Sequence, residues 1–325
     1  MKRREFLAAA ALCLPVLSRQ ALAQTSAYPN KPVRLIVPFA PGGTVDFMAR
    51  AISAALGKQL GQTVIVENKG GAGGAIGTME MVRAAPDGYT LAMVSPSITA
   101  ANPAINPKVP YNPVTDVTPI INVAASPHMI AIHPSFPARN YKDFLAELKR
   151  HPGRYSYASS GTGGILHLQM EYFKSATGTF ITHIPYRGAG PAVQDVVAGQ
   201  LAIAYDAPPS LMPFVKEGML IPIAICAPTR LKDLPNVPTF KEVGVDGLSR
   251  MAHYGILGPK GMPRDLVDKI NAATKRALDE PGLRARIEGT GSVVVASTPE
   301  EFAAEIKADY ELLKRVVAER KLTLE

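Results

Sequence analysis

Short strand-like runs and amphipathic helix-like runs take turns along this chain from residue 33 onward, and glycine-rich turns join several of them. Residues 33–39 are rich in β-branched side chains and break at Pro41-Gly42-Gly43. Val45, Met48, Ala49, Ile52 and Leu56 then recur at helical spacing. Residues 64–66 and 89–94 read as further strands, with a helix ending near Val82 between them. The grammar repeats in the middle of the chain. Strands are expected at 129–132, 155–158, 180–186, 201–205 and 221–227. The helices between them carry Tyr141, Phe144, Leu145 and Leu148 behind an Asn140 cap, then Ile165, Leu168, Tyr172 and Phe173, then Val193, Val196 and Val197 behind Pro191. The chain ends in helices. One has a stripe of Leu266, Ile270, Ala273 and Ala277, and another is announced by the capping box Thr298-Pro-Glu-Glu301. Alternating strands and helices predict an α/β protein built on parallel sheets. Its 325 residues, 47% of them hydrophobic, suit two lobes better than one and leave disorder no room as the main state.

The first residues have a different purpose. Lys2-Arg3-Arg4 precede an apolar run, residues 6–17, too short to span a bilayer, and Ala21-Leu22-Ala23 offers small residues for cleavage before Gln24. Residues 1–23 are therefore expected to be an export signal, and the periplasm is the expected destination. Arg3-Arg4-Glu5-Phe6-Leu7 resembles a twin-arginine signal, with ordinary Sec export as the alternative. Cys13 lies after Leu12, where a lipobox needs a small residue, so no lipid anchor is read there. Cys226 is then the one cysteine of the mature chain, inside an apolar run, and is expected to be a buried hydrophobe.

The formal net charge is +8, part of it in the leader, and the rest is spread along the chain. With no Trp and 6% aromatics, this balance excludes nucleic acid as the expected partner and suits a small anionic ligand.

Two turns share a design that suits such a ligand. Pro38-Phe-Ala-Pro-Gly-Gly-Thr-Val-Asp46 and Ser159-Ser-Gly-Thr-Gly-Gly164 each lead from a strand into a helix. Glycine admits close approach to the backbone. The first helical turn leaves N–H groups unpaired, and its dipole favours negative charge. A carboxylate or phosphate fits there, outside the carboxyl ends of the strands. Read alone, Gly42-Gly43 also serves as a plain turn, with Asp46 as a dipole-favoured acid. The phosphate-loop pattern is absent, and Gly71-Ala-Gly73 lacks the third glycine of a dinucleotide fingerprint because position 76 is Ile. No G-x-S-x-G elbow, H-E-x-x-H or paired-cysteine spacing occurs, so neither metal nor cofactor is expected, and no enzyme. Of the six histidines, only His167, just after the second loop, is a candidate for the site.

These loops also carry a resemblance. Residues 38–50, Val66-Glu-Asn-Lys-Gly-Gly-Ala-Gly-Gly-Ala-Ile-Gly77, Pro86-Asp-Gly-Tyr-Thr-Leu91, Tyr157-Ala-Ser-Ser-Gly161 and His183-Ile-Pro-Tyr-Arg-Gly188 resemble, in order, the Bug-type receptors of the tripartite tricarboxylate transporter family. The resemblance implies a two-lobed periplasmic binding protein fold, type II-like, with the ligand cleft between lobes. It implies a monomer that captures a small carboxylic acid (a di- or tricarboxylate, an aromatic acid or an acidic amino acid) for membrane transporter subunits. It points to Gly42, Gly43 and Asp46 in one lobe, to Ser159, Ser160, Gly163 and Gly164 in the other, to Asp206 at a strand end, and more weakly to Ser95 and Thr99. Asp46 is expected to brace its own loop; Asp206 is expected to meet a ligand ammonium, a hydroxyl or a water. The lobes are expected at 24–124 plus 229–325 and at 125–228, with crossings near 123–126 and 226–230. Three positions depart from the family pattern: Thr99, where many members have His; Ala202, where an acid is frequent; and His253, where Trp is common. The alternative roles are an accessory protein for a membrane sensor kinase or, requiring Ser160 or His167 as catalyst, an exported hydrolase.

Overall fold

The computed structural model describes residues 28–246 and 250–324. The expected export signal, its expected cleavage point and Cys13 lie outside the described residues. From the start of the described chain the elements run β1 (Val33–Val37), α1 (Thr44–Leu60), β2 (Val64–Asn68), α2 (Ala75–Val82) and β3 (Thr90–Val94). A π-helical turn at Ser97–Ala101 runs into the short α3 (Asn102–Ile105). There follow β4 (Val117–Ser126), β5 (His128–Ile132), α4 (Tyr141–Arg150), β6 (Ser156–Ser159), α5 (Ile165–Thr177), β7 (Thr182–Pro185), α6 (Ala189–Val197), β8 (Ile203–Asp206), α7 (Pro208–Lys216) and β9 (Ile221–Cys226). The chain closes with β10 (Ala252–Pro259), α8 (Arg264–Leu278), α9 (Pro281–Glu288), β11 (Val293–Val294) and α10 (Pro299–Arg320).

Two sheets result, ordered β11-β4-β10-β3-β1-β2 and β7-β6-β8-β5-β9. They are mixed, not parallel. β2, β1 and β3 pair in parallel, as do β7, β6 and β8, but β10 and β5 each enter their sheet antiparallel to both neighbours. The reversal follows from how the chain crosses. β4 passes into β5 through Pro127 alone, and β10 returns to the first sheet after β9. A strand arriving at a carboxyl edge must run back down its new sheet. Both crossings therefore join carboxyl edge to carboxyl edge. The loops that follow β1, β6 and β8 thus face each other across one gap.

The apolar pattern explains the packing. On β5, Ile130 and Ile132 enter one core with Phe144, Phe173 and Tyr205, while Met129 and Ala131 enter another with Val196 and Leu211, as alternation in a doubly covered strand requires. The first sheet has its own core, including Leu35, Ile52, Leu91, Ile256 and Ile270. The Asn140 cap is present, its side chain accepting from Asp143 N–H, and Thr298 and Glu301 form the full capping box. Cys226 is buried. Residues 229–245, expected with the first lobe, instead lie along the outer edge of β9. Ile225 N–H donates to Pro238 O and Phe240 N–H to Ile225 O, at 3.0 and 2.9 Å. This covers an edge that would otherwise expose unpaired backbone groups. Helix α10 takes part in both halves: Phe302 and Ile306 lie in the core of the first, Leu313 in that of the second.

Candidate functional site

The β1–α1 loop brings Gly43, Thr44 and Val45 to the cleft at the N-terminus of α1. Opposite lie Ile165 and Leu166 at the N-terminus of α5 and Ala189 at that of α6. Three helix N-termini thus converge on one narrow hollow, completed by Phe39, Ser95, Ser97, His128, Ser160, Asp206 and Tyr254. Among the described residues that line it there is no Lys or Arg. His128 does not supply a cation either. Burial pushes its imidazole down to about 4, and Nδ1 sits 2.6 Å from Gln169 Oε1. Attraction for an anion would therefore have to come from backbone N–H groups and helix dipoles.

The lobes already touch. Ala40 N–H donates to Arg187 O across the gap at 3.0 Å. Each principal helix terminus is capped from the other side. Ser97 Oγ accepts from Ile165 N–H at 3.1 Å, and Asp206 Oδ2 receives the Thr44 hydroxyl at 3.4 Å and also faces the Thr44 N–H. Asp206 further accepts from Ser210 Oγ, four residues on. Burial pushes the Asp206 carboxyl up to about 6, against the opposing pull of these donors. A side-chain carboxylate from one lobe thus occupies the helix terminus of the other.

The anticipated residues divide into wall and support. Gly43, Asp46, Ser95, Ser160 and Asp206 line the hollow. Asp46 spends its oxygens on its own loop: it accepts from Gly42 N–H (3.0 Å), Arg50 Nε (3.0 Å) and Asn68 Nδ2 (2.9 Å). Burial raises its pKa, but Arg50, Gly42 and Asn68 together outweigh that and hold it below the ordinary aspartate value. Gly42, at φ +89°, makes the turn that lets this happen. Ser159 turns away, its Oγ 2.6 Å from His183 Nε2. His167 accepts from Gly163 N–H through Nδ1 at 3.2 Å and stacks on His183 at 4.1 Å, so it holds the loop from behind. Gly164 caps α5, and a Cβ there would stand 3.1 Å from Ser97 Oγ. Thr99 is fully buried behind Ser95, with Oγ1 2.8 Å from His253 Nε2.

Other residues that line the hollow are not singled out by the sequence reading. Thr44, Ser97, His128 and the α6 terminus belong among them. A signal existed for the last: Tyr186-Arg-Gly-Ala-Gly-Pro191 is a third strand–glycine–helix turn. Its glycines set the closure distance. A Cβ on Gly190 would fall 1.9 Å from the Pro41 carbonyl oxygen, and one on Gly188 would fall 2.7 Å from Ala40 N.

Two α/β lobes closing carboxyl edge to carboxyl edge on a hollow rimmed by helix N-termini define a solute-binding protein of the periplasmic type. The chain belongs to the family described as "Tripartite tricarboxylate transporter family receptor", matched over residues 48–322. It is 32% identical to Protein BugT of Bordetella pertussis over 315 residues, 97% of this chain and 94% of that protein. A solved structure described as a periplasmic transporter superposes with a TM-score of 0.90 at 48% identity, over 92% of this chain and 100% of the other. MatC from Rhodopseudomonas palustris, solved with bound malate, gives 0.86 at 32% identity over 89% and 100% of the two chains. Rpa4515 of R. palustris, solved with adipate, gives 0.85 at 29% identity over 90% and 97%.

Proposed function

We propose that this protein captures a small dicarboxylate-class organic acid between its lobes and delivers it to the membrane subunits of a tripartite transporter. The observation that carries the reading is the meeting of three helix N-termini in a cleft lined, among the described residues, by no Lys or Arg. Such a place holds an anion through directed N–H groups. A charge-assisted hydrogen bond contributes roughly 1.5–3 kcal/mol, and a helix terminus adds about 0.3–1 kcal/mol, rising to ~2 when partly buried. A few of these, less the ordering cost, reach the approximately −8 kcal/mol of micromolar binding. The bound malate and adipate of the two R. palustris relatives support the dicarboxylate class.

In this reading the ligand carboxylate displaces the Asp206–Thr44 contact and takes over the terminus of α1. A ligand that touches both lobes favours their closure, because it gains contacts in the closed state only. The export signal read in residues 1–23 delivers the receptor to the periplasm. A second reading, an acidic amino acid, is favoured by one observation: Asp206 faces the hollow and could accept an ammonium.

The deciding experiment is a thermal-shift panel of the mature protein against dicarboxylates, acidic amino acids, sugar phosphates and cations. A ligand at 100 times its Kd stabilises by about 2.7 kcal/mol, a shift of several degrees. Dicarboxylates raising the midpoint supports the first reading, and amino acids alone doing so supports the second. A shift with sugar phosphates or cations and with no organic acid overturns both.

A further inference from the structure

Behind the cleft, His253 on β10 is fully buried, and its two ring nitrogens have very different surroundings. Nε2 lies 2.8 Å from Thr99 Oγ1, whose hydroxyl is in turn 3.3 Å from Ser95 O. When that hydroxyl gives its proton to the Ser95 carbonyl, Thr99 accepts from Nε2–H, and in that tautomer Nδ1 keeps its lone pair toward the two acids. Nδ1 has no hydrogen-bond partner. It points between Asp309 Oδ2 at 3.3 Å and Glu305 Oε1 at 3.6 Å, both on α10. The other oxygen of each acid is already held: Asn122 Nδ2 donates to Glu305 Oε2 at 2.8 Å, and Arg250 pairs with Asp309 Oδ1 at 2.7 Å. Three ligand atoms within 4.8 Å of one another are thus each oriented by an outer partner.

We propose that His253, Glu305 and Asp309 form a divalent metal site of the zinc class, with Thr99, Asn122 and Arg250 as the residues that orient its ligands. The separations favour a metal over a protonated imidazole. A charge-assisted N–H···O contact is about 2.7–2.9 Å, shorter than either distance here. Ligands bonded to one tetrahedral ion at about 2.0–2.1 Å stand roughly 3.3–3.4 Å apart, close to both. Imidazole with two carboxylates suits zinc and its first-row neighbours, and leaves a fourth position for water. Orienting partners on the far side of each ligand are what built metal sites carry. An ion would enter from the side of the acids: Asp309 lines a hollow with Arg250, Met251 and Leu313, and the Glu305 side chain is 30% exposed. The ion would pin α10 to the first sheet, one hydrogen-bonded step, through Thr99, from the Ser95 wall of the ligand cleft.

The test uses the untagged mature protein, stripped with chelator and titrated with Zn²⁺ by calorimetry and with Co²⁺ by visible absorption. The expected result is one tight equivalent of Zn²⁺, a higher thermal midpoint, and an intense four-coordinate Co²⁺ spectrum. Glu305→Gln and Asp309→Asn should each weaken Zn²⁺ at least tenfold with the circular dichroism spectrum retained. The double variant His133→Ala/His151→Ala, which removes two histidines outside the cluster, should leave binding unchanged. The Co²⁺ spectrum of the unmodified protein decides the matter should those acid variants misfold. Absence of stoichiometric binding, a six-coordinate Co²⁺ spectrum, or Zn²⁺ affinity untouched by the acid variants overturns the proposal, and the trio is then a protonated histidine between two carboxylates.

Discussion

Thr44 Oγ1 in one lobe donates to Asp206 Oδ2 in the other across 3.4 Å, in the place where a helix terminus would meet a ligand. The Asp206 carboxyl rises from an ordinary 3.8 to about 6 because it is buried. A raised acid contributes stability that is fully present below its unfolded value and is lost as pH rises through its folded one. Without ligand, Asp206→Asn should therefore gain on the unmodified protein as pH goes from 4 to 7, by about 3 kcal/mol at most for a shift of about two units. Chemical denaturation at three pH values measures this; a difference that does not change with pH would place the carboxyl outside the low-dielectric site.

His128 supplies the opposite slope. Its imidazole goes from 6.5 to about 4 through burial, which Gln169 only partly opposes. A depressed base contributes stability present above 6.5 and lost as pH falls toward 4. His128→Asn should flatten that acid-side loss by about 3 kcal/mol. The same denaturation series, run on the variant from pH 7 to 4, provides the check.

Gly190→Ala tests closure alone. The added methyl would fall 1.9 Å from Pro41 O, and its three nearest atoms all belong to Pro41 and Gly42 of the opposite lobe. Ligand affinity should fall at least tenfold, about 1.4 kcal/mol, and the melting temperature should fall less without ligand than with it, because free lobes can part to relieve the contact and ligand-bound lobes cannot. Titration calorimetry beside a melting curve separates the two; equal affinity would mean that capture does not need this approach of the lobes.

Thr298→Ala acts at the far end of the argument. It removes the side-chain half of the capping box on α10. The expected cost is about 1 kcal/mol, seen as a melting point lower by roughly 2–4 °C, with ligand affinity unchanged.

Much of this architecture could be read from local chemistry. Asn140 and Thr298 announce their helices because a cap is a contact between residues three apart. The runs that became β1, β3 and β5 were legible because β-branched and aliphatic residues cluster in them. β4 was not, since Pro119 breaks its pattern and is tolerated only where the register with β10 shifts. β10 was missed because all eight of its residues are buried, which erases the alternation, and Gly255 and Gly258 dilute its signal. Two of the three cleft termini stood out by their glycines. Their partners Ser97 and Asp206 face them only because β5 and β10 run backward, a property of topology that no local pattern records. Thr99 and His253, noted separately as departures from the family pattern, prove to be one contact 2.8 Å long.

Helix α10 ties the fates of the two halves together. Phe302 and Ile306 are sealed into one interior and Leu313 into the other, on a single continuous rod. Neither interior can melt without stripping apolar surface from the rod that the other still needs. Scanning calorimetry should accordingly register a single cooperative endotherm, with no half-unfolded species between the native and denatured baselines.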